Sequence, residues 1–138
     1  MNPENPIVKL CVAGMKAESE GQMEEARLLF LQAWDQSKDD YEACISAHYV
    51  ARHQQTPEET LQWNQLSLEK AKAINDERVQ GFYPSLYLNL GKAHEELGDL
   101  KQARACYELA AACLTDVSSG RYRDVVQDGI QRGLQRVS

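Results

Sequence analysis

The chain has 138 residues, of which 43% are hydrophobic and 26% charged, and its formal net charge at pH 7 is −6. This size and composition are typical of one soluble globular domain. The negative charge disfavours nonspecific binding to nucleic acid. No apolar run approaches the roughly 20 residues that cross a bilayer, so we expect no membrane partner either.

The beginning of the chain and its cysteines predict a cytoplasmic protein. Residues 1–6 are polar and contain two prolines, unlike a secretory signal, and we expect this segment to be flexible. None of the four cysteines lies in a CxxC spacing, and all four lie among apolar residues of helical patterns. They predict four buried, reduced thiols.

Apolar residues recur at helical spacing along most of the chain, and no convincing segment alternates with period two. Helices are predicted at about 7–19, 23–36, 41–54, 57–74, 84–97, 100–114 and 121–137. The segment 75–83 is compatible either with a loop or with a helical start of the next element. Gly129 and Gly133 each weaken the last helix by up to ~1 kcal/mol relative to Ala, so packing must hold it in place.

A set of small and aromatic residues occurs twice, 77 positions apart. Gly14, Gly21, Ala26, Phe30 and Ala33 reappear as Gly91, Gly98, Ala103, Tyr107 and Ala110. Small residues at facing positions let two helices approach closely, and an aromatic residue fills the space towards the next unit. The pattern predicts a helical hairpin that repeats and stacks.

This pattern resembles the tetratricopeptide repeat, a helix-turn-helix unit of about 34 residues. Copies are recognised at about 7–40, 41–74 and 84–117. The middle copy departs from the family pattern, because His48 stands at the glycine position, Thr60 at an alanine position and Asn64 at the aromatic position. The resemblance implies an all-α, right-handed superhelical array of three hairpins, with 118–138 as a C-terminal capping helix.

The resemblance also implies a non-catalytic module that binds a peptide segment or a partner helix in the concave groove of the array. The groove residues that it implies are Met15, Glu18, Tyr49, Arg52, His53, Asn89, Lys92 and Glu95. They suit a peptide with apolar and acidic groups, although an ordinary solvated face remains the alternative. The family's clamp for chaperone C-termini is not expected, because its lysine positions are not occupied by lysine.

Other chemistries are less well supported by the sequence. Cys44 and His48 are four residues apart on one helix, but nothing nearby completes a metal site. No phosphate-binding loop, nucleophile elbow or zincin motif occurs, so we expect no cofactor and no enzyme activity.

Two alternatives to groove binding stay open. The chain could be a homodimerising assembly unit, or a stand-alone regulatory domain of a larger system. We expect the double variant Tyr49→Ala/Lys92→Ala to weaken partner capture at nearly unchanged thermal stability. The sequence does not identify the partner, the pathway or the register of the middle repeat.

Overall fold

A computed structural model describes residues 2–115 and 117–138, and these residues form α-helices without any strand. The predicted all-α class is therefore confirmed. The helices are α1 Pro6–Ser19, α2 Met23–Gln36, α3 Asp40–Val50, α4 Pro57–Ile74, α5 Glu77–Gln80, α6 Tyr83–Glu96, α7 Leu100–Leu114 and α8 Arg121–Val137. A 3-10 turn, Ala51–His53, continues α3.

Six of the helices form three hairpins, which we call the first (α1 and α2), second (α3 and α4) and third (α6 and α7) hairpin. The second helix of each hairpin packs on the next element: α2 on α3, α4 on α6 and α7 on α8. The chain is thus an array of stacked hairpins, and α8 covers the end of the third.

Most of the predicted helix limits agree with the structure to within one residue. α2, α4, α7 and α8 have the predicted limits, and side-chain caps explain several of the starts. Asn5 Oδ1 accepts hydrogen bonds from the backbone N–H groups of Ile7 and Val8. Thr56 Oγ1 likewise accepts from the N–H of Glu59 at the start of α4. Such caps satisfy donors that have no partner inside the helix.

The prediction is wrong for the end of one helix, and the structure adds detail to two further segments. The third helix was expected to reach residue 54, but α3 ends at Val50 and only the 3-10 turn follows. The undecided segment 75–83 contains the single-turn helix α5. It begins after Asn75, which ends α4 in the left-handed conformation with φ 48°. The segment 1–6, which was expected to be flexible, overlaps the start of α1. Pro6 is the first residue of α1, and Asn5 is the N-cap of this helix.

The repeated glycines and aromatics pack as the 77-residue repeat predicts. A Cβ on Gly14 would clash with the Phe30 ring, and one on Gly91 would lie 2.5 Å from Tyr107 Cε1. Both rings are fully buried. The turns of these two hairpins use Gly21 and Gly98, which share a left-handed backbone conformation that favours glycine.

The thiols of Cys11, Cys44 and Cys106 are buried, whereas Cys113 is only partly buried, so the expectation of four buried thiols holds for three. Burial raises the pKa of the Cys11 thiol to about 12. Within 2–115 and 117–138, no helix combines the length and hydropathy that a membrane span requires.

Candidate functional site

The second hairpin is built differently from its neighbours. Thirty-four positions after Gly14 and Phe30, it has His48 on α3 and Asn64 on α4. Where the first hairpin has a small residue and a large ring, the second has an imidazole and a short amide. Ser67 lies one turn further along α4, and its Oγ donates a hydrogen bond of 2.8 Å to the carbonyl of Cys44. This buried bond fixes α4 on α3.

The aromatic residues of the other two hairpins reach the next unit. Phe30 stacks on Tyr49 of α3 with ring centroids 5.1 Å apart. Tyr107 lies against α8, where a Cβ on Gly133 would be 2.5 Å from Tyr107 Cζ. Accordingly α1 packs on α3, and α6 packs on α8. Asn64 is too short to make such a bridge.

Between the second and third hairpins the first helices are further apart. Over the described residues, α3 and α6 make at most marginal contact. The link 75–82 also separates α4 from α6 by more chain than a tight hairpin turn would. A groove therefore opens between α3 and α6, with α8 as its far wall.

The groove consists of two adjoining cavities. The apolar cavity, of about 450 Å³, is lined by Cys44, Ile45, His48, Tyr49, Gly81, Phe82, Ser85, Leu86, Val117 and Tyr122. The polar cavity, of about 610 Å³, is lined by His48, Ala51, Arg52, Gln54, Thr60, Asn64, Ser85, Leu88, Asn89, Lys92, Ala93, Glu96, Tyr122, Val125 and Val126. His48, Ser85 and Tyr122 line both cavities.

Tyr122 connects the first turn of α8 to α6. Its hydroxyl donates to the carbonyl of Gly81 at 2.7 Å and lies 2.6 Å from Ser85 Oγ. The ring is 44% exposed. These bonds hold the capping helix at the groove, so α8 is part of the candidate site as well as a cover for the third hairpin.

His48 is a neutral hydrogen-bonding group at pH 7. Burial, with a further contribution from the charge of Arg52, lowers the pKa of its imidazole to about 4. The Asn89 amide nitrogen lies 3.4 Å from His48 Nδ1. An amide nitrogen only donates, so this contact is a hydrogen bond when the ring proton is on Nε2.

Two cations lie at the polar cavity. Arg52 Nη1 is 3.2 Å from Glu18 Oε1, and its guanidinium also lies 5.2 Å from the Tyr49 ring centroid. Lys92 is exposed and forms no salt bridge with any residue that the structure describes. Glu96 is the carboxylate among the lining residues, and the charge of Arg52 is already paired with Glu18.

The structure brings together only some of the predicted groove residues. Arg52, Asn89 and Lys92 line the polar cavity, and Tyr49 lines the apolar one. Met15 is partly buried against the core.

The remaining predicted residues bind one another or the capping helix. Glu18 Oε2 lies 2.7 Å from His53 Nε2. Glu95 accepts a hydrogen bond from the Tyr107 hydroxyl at 2.7 Å and one from Arg136 Nε at 2.7 Å. The two carboxylates are thus held in contacts between packed helices, which reduces what they can offer to a ligand.

Sequence reasoning missed His48, Asn64, Tyr122 and Val125 as groove residues. The signal for the first two was present, since they are the positions at which the middle repeat departs from the other two. Tyr122 and Val125 had no comparable signal, because their part in the groove depends on where α8 docks.

Metal chemistry finds no support at this groove. Across the described ranges, no three His, Cys, Asp or Glu side chains are grouped so that they could hold a metal ion. The Cys44 thiol is buried, which raises its pKa, and its sulfur lies 3.6 Å from Ser67 Oγ.

Comparison with known protein families identifies one segment. A family model of the tetratricopeptide repeat matches residues 84–112, which comprise nearly all of α6 and most of α7. Searches among curated proteins and among solved structures gave no match. Tetratricopeptide repeats generally mediate contacts between proteins. The chain is therefore an all-α array of helical hairpins, the third of which is similar to the tetratricopeptide repeat.

Proposed function

We propose that the chain is a non-catalytic interaction module that holds a peptide segment or a partner helix in the groove between α3, α6 and α8. The presence of a tetratricopeptide repeat supports a protein partner. The observation that carries the proposal is the groove itself, in which an apolar cavity adjoins a polar one. Such a surface suits a segment with apolar anchors and a few polar or acidic groups.

The double variant Lys92→Glu/Val125→Glu tests this assignment. Both side chains line the polar cavity and are exposed, and Val125 is 61% exposed. Surface changes of this kind alter stability by about 0.5 kcal/mol or less. The variant places two negative charges where we expect an acidic, partly apolar segment, so partner binding should be lost while folding is kept.

A matched control makes the same types of change elsewhere. Lys101→Glu/Leu109→Glu also reverses one lysine and charges one exposed apolar residue, but on α7, which lines neither cavity. Wild type and both variants would be used to capture proteins from the native cell, with identification by mass spectrometry. Partners that the groove variant loses and the control retains support the groove. Equal capture by all three proteins would refute it.

One observation favours the alternative of a homodimer. Val12, Met23 and Leu28 of the first hairpin are each more than half exposed, at 51%, 52% and 53%. Light scattering at several concentrations would show whether two copies associate, and Leu28→Glu should then abolish the association. A monomer at high concentration would exclude this alternative. The third option, a stand-alone regulatory domain, would use the groove in the same way.

A further inference from the structure

Four side chains of α1 form one exposed stripe on the surface of the protein. They recur at i, i+3, i+4 and i+7, which places them on one face of the helix. We call this set the α1 stripe, and it consists of Lys9, Val12, Ala13 and Lys16, which are all exposed. None of the four lines either cavity, so the α1 stripe is separate from the groove.

The second hairpin buries the surface that the α1 stripe exposes. Thirty-four positions later on α3, the equivalent residues are all buried, namely Ala43, Ser46, Ala47 and Val50. Both hairpins pack their own two helices together, but α3 also packs on α2 of the hairpin before it. Ser46 Oγ lies 3.1 Å from the Oγ of Ser37, which is the C-cap residue of α2. The preceding helix therefore takes part in covering these positions of α3.

The third hairpin buries the same surface. The positions 77 residues after Lys9, Ala13 and Lys16 are buried, and they are occupied by Leu86, Leu90 and Ala93. The equivalent of Val12 is Asn89, which is half-buried. The helix before α6 in the array is α4, and these two helices pack on each other. Within the described residues no α-helix precedes α1, so α1 leaves uncovered a face that α3 and α6 bury.

The α1 stripe also differs from its equivalents in charge. It has a lysine at each end, where α3 and α6 have apolar residues. Lys9 and Lys16 are seven residues apart, which is about 10 Å along the helix axis. Lys16 forms no salt bridge with a described residue, and the contact of Lys9 with Glu4 is 3.8 Å long and exposed on both sides. An exposed pair of this kind contributes little. Glu20, the C-cap residue of α1, lies beyond the stripe.

We infer that the α1 stripe binds an acidic amphipathic helix of a partner protein, which packs on α1 as α2 packs on α3. Two Asp or Glu residues of the partner helix, seven positions apart, pair with Lys9 and Lys16. Apolar residues between them pack on Val12, which is 51% exposed, and on Ala13, whose short side chain lets the two helices approach closely. This surface is independent of the proposed groove.

A library of single helices displayed on phage tests the inference. One face of an alanine-rich helix of about 18 residues, which is long enough to be helical alone, would be randomised. It would be selected on wild type, on the stripe variant Lys9→Glu/Lys16→Glu and on the groove variant Lys92→Glu/Val125→Glu. Wild type and the groove variant should enrich helices with Asp or Glu seven positions apart. The stripe variant should enrich Lys or Arg at those two positions, because its charges are reversed.

The matched control for the stripe variant is Lys72→Glu/Lys101→Glu. It also reverses two exposed lysines, one near a helix start and one near a helix end, and neither lines a cavity. The control should enrich the same helices as wild type. The same helices on wild type and on the stripe variant would overturn the inference and leave the proposed groove standing. Enrichment only of helices that the groove variant loses would also overturn it, and would support the groove.

A second experiment measures the contact with one enriched helix. Fluorescence anisotropy should show binding to the stripe variant that is about tenfold weaker than binding to wild type. Ala13→Gln should also weaken binding and leave the melting temperature unchanged, because the position is exposed. Equal affinity for all three proteins would overturn the inference.

Sedimentation equilibrium distinguishes a partner helix from a second copy of the chain. The inference predicts that wild type and the stripe variant have the same oligomeric state. Self-association of wild type that the stripe variant abolishes would show that a second copy covers the α1 stripe. That outcome would overturn the assignment of a separate partner helix.

Discussion

Glu18 and Glu95 lie 77 residues apart in the chain and make the same kind of contact. Each is near the end of the first helix of its hairpin, and each binds an arginine of the next helix in the array. Glu18 Oε1 lies 3.2 Å from Arg52 Nη1, and Glu95 Oε2 lies 2.7 Å from Arg136 Nε. The repeat therefore includes the ion pairs between units as well as the packing inside them.

This equivalence shows which position α8 occupies in the array of hairpins. Arg52 lies in the 3-10 turn that continues α3, and Arg136 lies in the last turn of α8. Phe30 bridges to α3 as Tyr107 bridges to α8. The capping helix thus takes the place that the first helix of a fourth hairpin would occupy.

The Glu95–Arg136 pair predicts an unequal effect of two arginine substitutions in α8. Glu95 is mostly buried, at 23% exposed, and Tyr107 also bonds it. Arg136→Ala should lower the free energy of unfolding by about 1 kcal/mol, measured by urea denaturation. The control is Arg132→Ala, whose pair with Asp128 is exposed on both sides and should cost less than about 0.5 kcal/mol. Equal effects would contradict the equivalence of Glu18 and Glu95.

The two glycines of α8 should respond oppositely to alanine. A Cβ on Gly133 would lie 2.5 Å from Tyr107 Cζ, and this ring is held on its other side by Gly91. The clash should cost about 1–3 kcal/mol, more than the roughly 1 kcal/mol that alanine gains in helix propensity. Gly129→Ala is the matched control.

A Cβ on Gly129 meets only the flexible end of Leu88, at 3.0 Å. Stability of this variant should be unchanged or raised by up to about 1 kcal/mol. Thermal unfolding of both variants measures the difference. A Gly133→Ala protein as stable as wild type would show that α8 does not pack on Tyr107 as described.

The hairpin scaffold could be predicted from the sequence because its signals are local. Capping residues such as Thr56, turn glycines such as Gly98 and helical periodicity determine where helices begin and end. The 77-residue repeat determined which helices form pairs. The sequence did not predict the end of α3 at Val50, because the residues that follow continue the helical pattern. A 3-10 turn differs from an α-helix only in the spacing of a few backbone hydrogen bonds.

The groove could be predicted only in part, because its shape depends on how whole hairpins are spaced. Lys92 and Asn89 were identified from their repeat positions, and they do line the polar cavity. Glu18 pairs with Arg52 and Glu95 pairs with Arg136, which are 34 and 41 residues away in the chain. Helical periodicity does not reveal such distant partners. The docking of α8, which brings Tyr122 to the groove, is likewise a tertiary contact.

His48 predicts a pH-dependent stability. Its pKa is about 4 in the folded protein against an ordinary value of 6.5, so the unfolded chain binds the proton first as pH falls. The contribution of His48 to the free energy of unfolding is fully present above pH 6.5. It is lost between pH 6.5 and 4, and the loss amounts to up to about 3 kcal/mol. The charges that line the cavity with it are Arg52, Lys92 and Glu96.

The variant His48→Gln isolates this contribution, since glutamine does not titrate. The difference in unfolding free energy between wild type and variant should shift in favour of the variant as pH falls from 6.5 to 4. Urea denaturation at several pH values measures it, and NMR titration of the imidazole gives the pKa directly. A difference that stays constant over this range would contradict a buried neutral His48.

Tyr49 should affect stability as well as binding, contrary to the expectation from sequence for Tyr49→Ala/Lys92→Ala. Its ring is partly buried and stacks on Phe30 at 5.1 Å, so its removal leaves a gap beside the first hairpin. Tyr49→Ala should cost about 2 kcal/mol, less than a fully buried aromatic residue because part of the ring is exposed. Tyr49→Phe keeps the ring and should be nearly as stable as wild type. A Tyr49→Ala protein with wild-type stability would show that Phe30 does not need this ring to join the first hairpin to α3.

Lys92→Ala should leave the melting temperature unchanged, because Lys92 forms no salt bridge with the described residues. Any loss of partner binding that this variant causes can then be assigned to the groove.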